Sequence, residues 1–488
     1  MISVYVGTGG TVNHLAKTSI GGLLVEQPLQ AFWTTYDPLD LASGSLDPLG
    51  FARGYLSLAD RFLPSFTTVT TVPRYVSMLC AALRSVQTHY RHESGIASSK
   101  GRQERLSLVK SYERAWAIAC GCVSRDPSIG QEAIRGLRGI RYVNRRLDIL
   151  SGREKYIQTG SYNLLSNQVR YGGIGIYSTF LEECHLASMQ SFTLRPLGEA
   201  LADAFPGPDQ GIPIHDEDAR LSLDTLQEWG GRAHIGAFTT QEGAILAEAL
   251  RGGEEADHPD NVRWAALRML AKLNSQPSDD EGELLRRLAI ELRSGRFDTL
   301  GVPSPCLTQI STTLQILEPF EQFYQGVLFL FERIRGAATD EIEASLTNLA
   351  SVEPVMEAIR AIRKSAAELR NSLQAASYVN PTTAVEVETV MRESGILALA
   401  DDVLRHPADT SEVMRLVLRR HGQVQSGKFD KGLPKAAWTR LIDGDKVQLK
   451  AQRHRLPASQ RPARWMDVGR HPYRTRSALA FIQTCGID

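Results

Sequence analysis

Cysteine is scarce. Six residues (Cys80, Cys120, Cys122, Cys184, Cys306 and Cys485) are scattered through a chain of 488. A secreted disulfide framework packs more cysteines into a shorter chain, so that class is excluded. Cys120-Gly-Cys122 falls in a helical pattern, where residues two apart do not face each other. No second Cys/His pair stands nearby at zinc-ligand spacing. Buried free thiols and a reducing, cytoplasmic compartment are expected. Long apolar runs are lacking too. The most apolar window, residues 326–331, stops at Glu332 and Arg333, short of the ~18 residues that make a membrane helix. No membrane partner is expected. The N-terminus, Met1-Ile-Ser-Val-Tyr-Val-Gly7, lacks the basic region and apolar core of a secretory leader. No repeat recurs at a period of about 20–50 residues.

Catalytic signatures are equally thin. There is no Gly-x-Ser-x-Gly and no His-Glu-x-x-His, and the eleven histidines are dispersed. Val6-Gly7-Thr8-Gly9-Gly10-Thr11 follows an apolar strand pattern and offers backbone N–H groups to a phosphate. The dinucleotide fingerprint needs a third glycine where Val12 stands, and a helix that Gly21-Gly22 interrupts. Gly422-Gln-Val-Gln-Ser-Gly-Lys428 matches most of a P-loop. Phe429 replaces the hydroxyl that would bind magnesium, and a helical pattern precedes it where a buried strand is needed. His215-Asp216-Glu217-Asp218 and the loop with Glu254, Glu255, Asp257, His258 and Asp260 collect hard-cation ligands, but nothing nearby reads as a supporting strand pair. Solvated helix starts and turns account for each of these, so no catalytic residue, metal site or cofactor is assigned.

What is present is a globular composition with segregated charge. Hydrophobic residues make up 42% and charged residues 23%, which excludes global disorder. Lysine plus arginine equals aspartate plus glutamate, 55 each, yet residues 100–176 carry net +8, 196–302 net −10, 303–414 net −8 and 415–488 net +11. Such blocks either complement each other within the fold or face an anionic partner.

The patterning is helical. Phe51, Tyr55, Leu58 and Phe62 share one helix face, and Pro64 ends that helix. Pro73 opens the next, which runs to about Tyr90. A long helix is expected around 101–120 and two short ones over 127–150. Residues 160–206 read as helix, glycine turn, helix, extended piece, helix, the outline of a winged-helix-like module. Pro206–Pro213 is a linker by composition. Thr239, three residues before Glu242, is a helix N-cap signature. Amphipathic helices follow over 261–273 and 280–292, then 310–378, 382–406 and 411–421, and the tail ends in an apolar helix around 478–482. The expected class is mainly α, a multidomain helical protein with small β elements. Four segments are expected: 1–95, mixed and helical; 96–206, basic and helical; 214–414, acidic and helical; and 415–488, basic with a docked terminal helix.

The basic segments carry the functional expectation. Arg135, Arg138, Arg141, Arg145 and Arg146 recur at spacings near a helix repeat, with Gly136 and Gly139 between them, and Lys155 and Arg170 extend the patch. In the tail, Lys450, Arg453, His454, Arg455, Arg461, Arg464, Arg470, His471, Arg474 and Arg476 interleave with Trp465 and Tyr473. Arginine makes bidentate phosphate contacts and aromatic rings stack on bases. The two stretches are expected to form one cradle for a nucleic acid. The competing expectation is that the tail packs on the acidic middle of the chain.

Two phrases carry a family resemblance. Leu63-Pro-Ser-Phe-Thr-Thr-Val-Thr-Thr-Val-Pro-Arg-Tyr-Val-Ser-Met-Leu79, with Arg74-Tyr75 at its core, resembles a segment of uncharacterised bacterial proteins encoded in antiphage defence islands beside helicase and nuclease genes. Phe238-Thr-Thr-Gln-Glu-Gly-Ala-Ile-Leu246 resembles wording in the same families. The resemblance implies a subunit of a multi-subunit defence system whose enzymes reside on helicase- or nuclease-type partners, and it transfers no catalytic residue. The first expectation is a non-catalytic scaffold or DNA-sensing subunit. The alternatives are a metal-dependent nuclease or nucleotide-using effector built on His215–Asp218 or Gly7–Gly10, and a purely structural protein–protein interaction subunit.

Overall fold

Asp47 starts the first helix. Its carboxylate accepts the N–H groups of Phe51 and Ala52, each at 2.9 Å, two of the donors that a helix start leaves unpaired. Phe51, Tyr55, Leu58 and Phe62 are all buried along α1 (Ala52–Phe62). The protein's structure, a computed structural model, describes residues 47–90, 99–150, 155–158, 164–165, 167–209, 213, 216, 220–252, 259–273, 280–341, 343–430, 433–451 and 455–488. The Gly7–Gly10 loop, His215, Glu217, Asp218, residues 254–258 and Arg453 with His454 lie outside them.

The described residues form eighteen α-helices and nine short strands, so the mainly helical class holds. After α1 come α2 (Arg74–His89), α3 (Ser99–Val123), α4 (Ile140–Leu150), β1 (Tyr156–Gln158), α5 (Gln168–Tyr171), α6 (Gly173–Glu183), β2 (Ala187–Ser188), β3 (Thr193–Leu194) and α7 (Pro196–Ala204). Then follow β4 (Arg220–Ser222), α8 (Leu223–Ala233), α9 (Thr240–Arg251), α10 (Pro259–Lys272) and α11 (Glu281–Arg293). The acidic half continues with α12 (Ser304–Asp340), β5 (Ala344–Ser345), α13 (Leu346–Ala350), α14 (Glu353–Val379), α15 (Pro381–Glu393), α16 (Ile396–Arg405) and α17 (Thr410–Ser426). Four strands, β6 (Phe429–Asp430), β7 (Leu433–Pro434), β8 (Thr439–Ile442) and β9 (Lys446–Leu449), precede the terminal helix α18 (Thr475–Cys485).

Two helical layers share one interior. In the first, α3 packs on α2, α4 and α8, and α7 lies on α2. In the second, α12 packs along α14 and also meets α1, α10, α11 and α17. The apolar window 326–331 sits inside α12, a helix about 55 Å long, with Val327, Phe329, Leu330 and Phe331 buried. Pro319 lies within α12 and does not end it. Helices α9 and α10 join the layers, α9 against α7 and α10 against α12, and α18 rests on both. Buried apolar side chains from Leu49 to Ile487 form one contiguous core that crosses the expected segment boundaries at 95, 206 and 414. The strands are local. β1 pairs with β4, β2 with β3 and β6 with β7, and β5-β9-β8 make a three-stranded sheet, all antiparallel.

Two local expectations are refined in the structure, and the P-loop-like stretch proves to be a helix end, as its flanks imply. Gly136 (φ 79°) and Gly139 (φ 75°) take left-handed conformations, which glycine adopts at no steric cost. They break the run of arginines, so Arg135 and Arg138 precede α4 instead of lying on it. The P-loop-like stretch is mostly the last turn of α17, with no strand before it, and Lys428 Nζ donates to the carbonyl of Asp47 at 2.7 Å. A winged helix is not shown over 160–206. The strands there are two residues long, and α6 is buried from Gly173 to Ser178 and at Phe180 and Leu181, leaving no open face for a groove.

Candidate functional site

Helix α4 presents the basic face. Val143, Leu147 and Leu150 recur at i, i+4 and i+7 and are buried. They dock α4 on α3, where a Cβ on Gly121 would stand 2.5 Å from Val143 Cγ1. The other side of the helix is left to solvent. It carries Arg141 and Arg145, one turn apart, with Tyr142 at 53% and Ile149 at 58% exposure. Neither Arg141 nor Arg145 has an ion-pair or hydrogen-bond partner among the described residues. Arg135 is also exposed, and its guanidinium reaches Glu132 at 3.3 Å, an exposed pair that contributes little. Asp148 on the same helix pairs with Arg125 at 2.6 Å. Just beyond, the β1–β4 ribbon sets Tyr156 in solvent with the Arg220 guanidinium 5.5 Å over its ring.

The other arginines of this segment work inside the fold. Arg138 Nε donates to the carbonyl of Tyr171 at 2.6 Å, and its backbone N–H donates to Tyr75 Oη at 2.9 Å. Arg146 and Arg170 are half-buried, and Arg170 lies over the Tyr171 ring. Lys155 is exposed, and its carbonyl accepts the N–H of Leu223 at 2.9 Å.

Four tail arginines pair with the protein's own carboxylates. Arg461 forks onto Asp340 at 2.5 and 2.8 Å. Arg464 pairs with Asp467 at 3.2 Å. Arg470 forks onto Glu318 of α12 at 2.7 and 2.9 Å. Arg474 is buried against Asp60 at 2.6 Å and the carbonyl of Leu63 at 3.2 Å. The hydrogen bond from Arg461 holds the Asp340 carboxyl below its ordinary range. Burial works against the charge of Glu318, but Arg470 outweighs it and holds that carboxyl low as well. Arg455 and Arg476 are exposed, and Arg455 donates weakly to the carbonyl of Thr339 at 3.5 Å. Arg461 and Arg470 therefore hold the tail on the acidic half, while Arg455, Arg464 and Arg476 remain exposed.

Residues with no signal in the sequence anchor that tail. Glu321, buried on α12, accepts the Tyr473 hydroxyl at 2.5 Å, the His471 N–H at 3.0 Å and His471 Nδ1 at 2.9 Å. The His471 ring stacks on Tyr55 at 4.7 Å. Glu281 accepts the N–H and hydroxyl of Thr475. No spacing rule links residues 150 to 194 positions apart.

A second polar cluster joins the two phrases that carry the resemblance. Arg74 and Glu242 form an ion pair whose side chains are 1% and 0% exposed. Glu242 also closes a capping box at the start of α9, accepting the N–H of Thr239 at 3.0 Å while Thr239 Oγ1 accepts the N–H of Glu242 at 3.2 Å. Arg74 sits 4.7 Å over the Phe205 ring. Tyr75 stacks on Tyr177 and meets Trp116 edge-on. Nearby, buried Glu113 accepts the N–H of Gly173 at 2.6 Å and Gln168 Nε2 at 2.8 Å. Burial raises the Glu113 carboxyl above its ordinary value, although these two donors oppose the rise. The cavities lined by Leu285, by Asp340 and by Thr347 lie elsewhere and do not include these residues.

No group of three or more His, Cys, Asp or Glu among the described residues could hold a metal ion. The cysteines are free, and five are buried. Burial pushes the Cys122 thiol up to about 11 and the Cys485 thiol up to about 12. Thiolate, the reactive form, is scarce at such values. A cavity of about 440 Å³ lies between α11, α12 and α14, floored by Leu285, Leu314 and Leu317. No helix among the described residues is long and apolar enough to cross a membrane. No family model, curated protein or solved structure matches the chain.

Proposed function

We propose that this chain is a non-catalytic, nucleic-acid-sensing scaffold subunit of a cytoplasmic bacterial antiphage defence complex, and that α4 is its polyanion-binding face. The carrying observation is the pair Arg141 and Arg145, exposed one helical turn apart with no carboxylate partner among the described residues, beside exposed Arg135. Guanidiniums held in a row on a packed helix suit phosphate oxygens, which they contact by bidentate hydrogen bonds. The defence setting and its helicase- or nuclease-type partners rest on the resemblance of residues 63–79 and 238–246. Those two phrases meet at the Arg74–Glu242 pair, so they belong to one structural unit.

The test is fluorescence anisotropy with a labelled oligonucleotide. The native chain should bind at low salt, and the R135E/R141E/R145E triple variant should not. Equal affinity of the two proteins would remove the proposal. One observation favours a second reading, the purely structural subunit: the tail arginines pair with Asp340, Glu318 and Asp60. On that reading the α4 face meets an acidic protein, and the isolated chain has no affinity for nucleic acid.

A further inference from the structure

We infer that the α4 face selects single-stranded over duplex nucleic acid, with Tyr142 as a base-stacking platform beside Arg145. The inference rests on the reading of α4 as a phosphate-binding face and specifies what that face takes.

Two observations lead there. First, the apolar groups on this face point outward. Tyr142 and Ile149 are 53% and 58% exposed, although the helix has a fully formed buried side in Val143, Leu147 and Leu150. A surface that touched only phosphates would gain nothing from them. A splayed strand does, because each base has a π-face that stacks on an aromatic ring. Tyr142 and Arg145 are three residues apart and so share one side of α4, and a base on the ring leaves a flanking phosphate beside that guanidinium.

Second, the arrangement is repeated. Tyr156 on β1 is 47% exposed with Arg220 over its ring at 5.5 Å. Leu150 and Lys155 are five residues apart, which limits them to about 18 Å. Tyr142 stands about 12 Å from Leu150 along the helix. The two exposed tyrosines thus lie no more than about 35 Å apart, on the scale of sites that cover about 4–16 nucleotides.

The experiment compares a labelled oligo-dT 20-mer with a duplex of the same length, using the full chain and its Y142A and Y142W variants at one salt concentration. The side chain is exposed, so the variants should keep the native circular dichroism spectrum and melting temperature. The native chain should bind the single strand at least tenfold more tightly. Y142A should lose about fivefold or more in single-strand affinity, as removal of one stacking ring does, and a smaller factor on the duplex. Y142W should bind the single strand at least as tightly as the native chain. Equal binding of both forms, unchanged by Y142A but abolished by R135E/R141E/R145E, would overturn this inference and leave the phosphate-binding reading standing. No binding of either form would overturn both.

Discussion

Arg74 and Glu242 are 168 positions apart, and their side chains are almost wholly hidden from water. Burial lowers the pKa of Arg74, and the neighbouring carboxylate works against that fall. Removing one partner leaves an uncompensated charge in the interior, which typically costs about 3–5 kcal/mol. R74A should therefore lower unfolding free energy by about that amount in urea denaturation, and the R74M/E242L double variant should recover much of it. A loss under about 1 kcal/mol for R74A would show that the pair is not a buried structural link. Glu113 gives a pH signature. Its folded-state pKa lies above the ordinary 4.5 because burial disfavours the charge. The stability it contributes is full below pH 4.5 and declines as pH rises through the raised folded value. E113Q should flatten that decline in melting temperature measured from pH 4.5 to 7.5. An unchanged slope would mean that Glu113 does not titrate in this window.

Among the elements, α18 shows what terminal packing does. Phe481 is fully buried, with its ring 5.3 Å from Phe66 and 4.9 Å from Phe180. F481A should cost about 3–5 kcal/mol and should open the tail to limited proteolysis between Val468 and Thr475. A native-like melt would show that the helix docks weakly. Regular helices were largely legible in the sequence, because a 3–4 residue apolar beat marks a buried stripe without reference to the rest of the chain. Thus α1, α9 with its Thr239–Glu242 cap, and the docked terminal helix were all readable. Two short helices over 127–150 are legible, but where the break falls in the arginine run 135–146 is not, because glycine permits but does not force a left-handed turn. Gly136 and Gly139 reveal their conformation only once Val72 and Leu164 pack beside them. A winged helix over 160–206 is not shown, and the sequence could not decide it: a helix–turn–helix pattern does not say whether α6 is covered.

In the whole molecule the zero net charge resolves into paired blocks. The +11 tail lies on the acidic half through Arg461–Asp340 and Arg470–Glu318. Composition showed that the blocks existed, but the choice between internal pairing and an external polyanion depends on tertiary position. The α4 face is different, since Arg141 and Arg145 meet no described carboxylate. The decisive measurement is oligonucleotide affinity against salt concentration for the full chain. Three phosphate contacts, from Arg135, Arg141 and Arg145, predict a log–log slope of about −2 for a single strand and about −2.7 for duplex. R141E/R145E should flatten that slope as affinity collapses. A steep slope that the double substitution leaves intact, or an absence of binding at low salt, would contradict the assignment of α4 as the polyanion face.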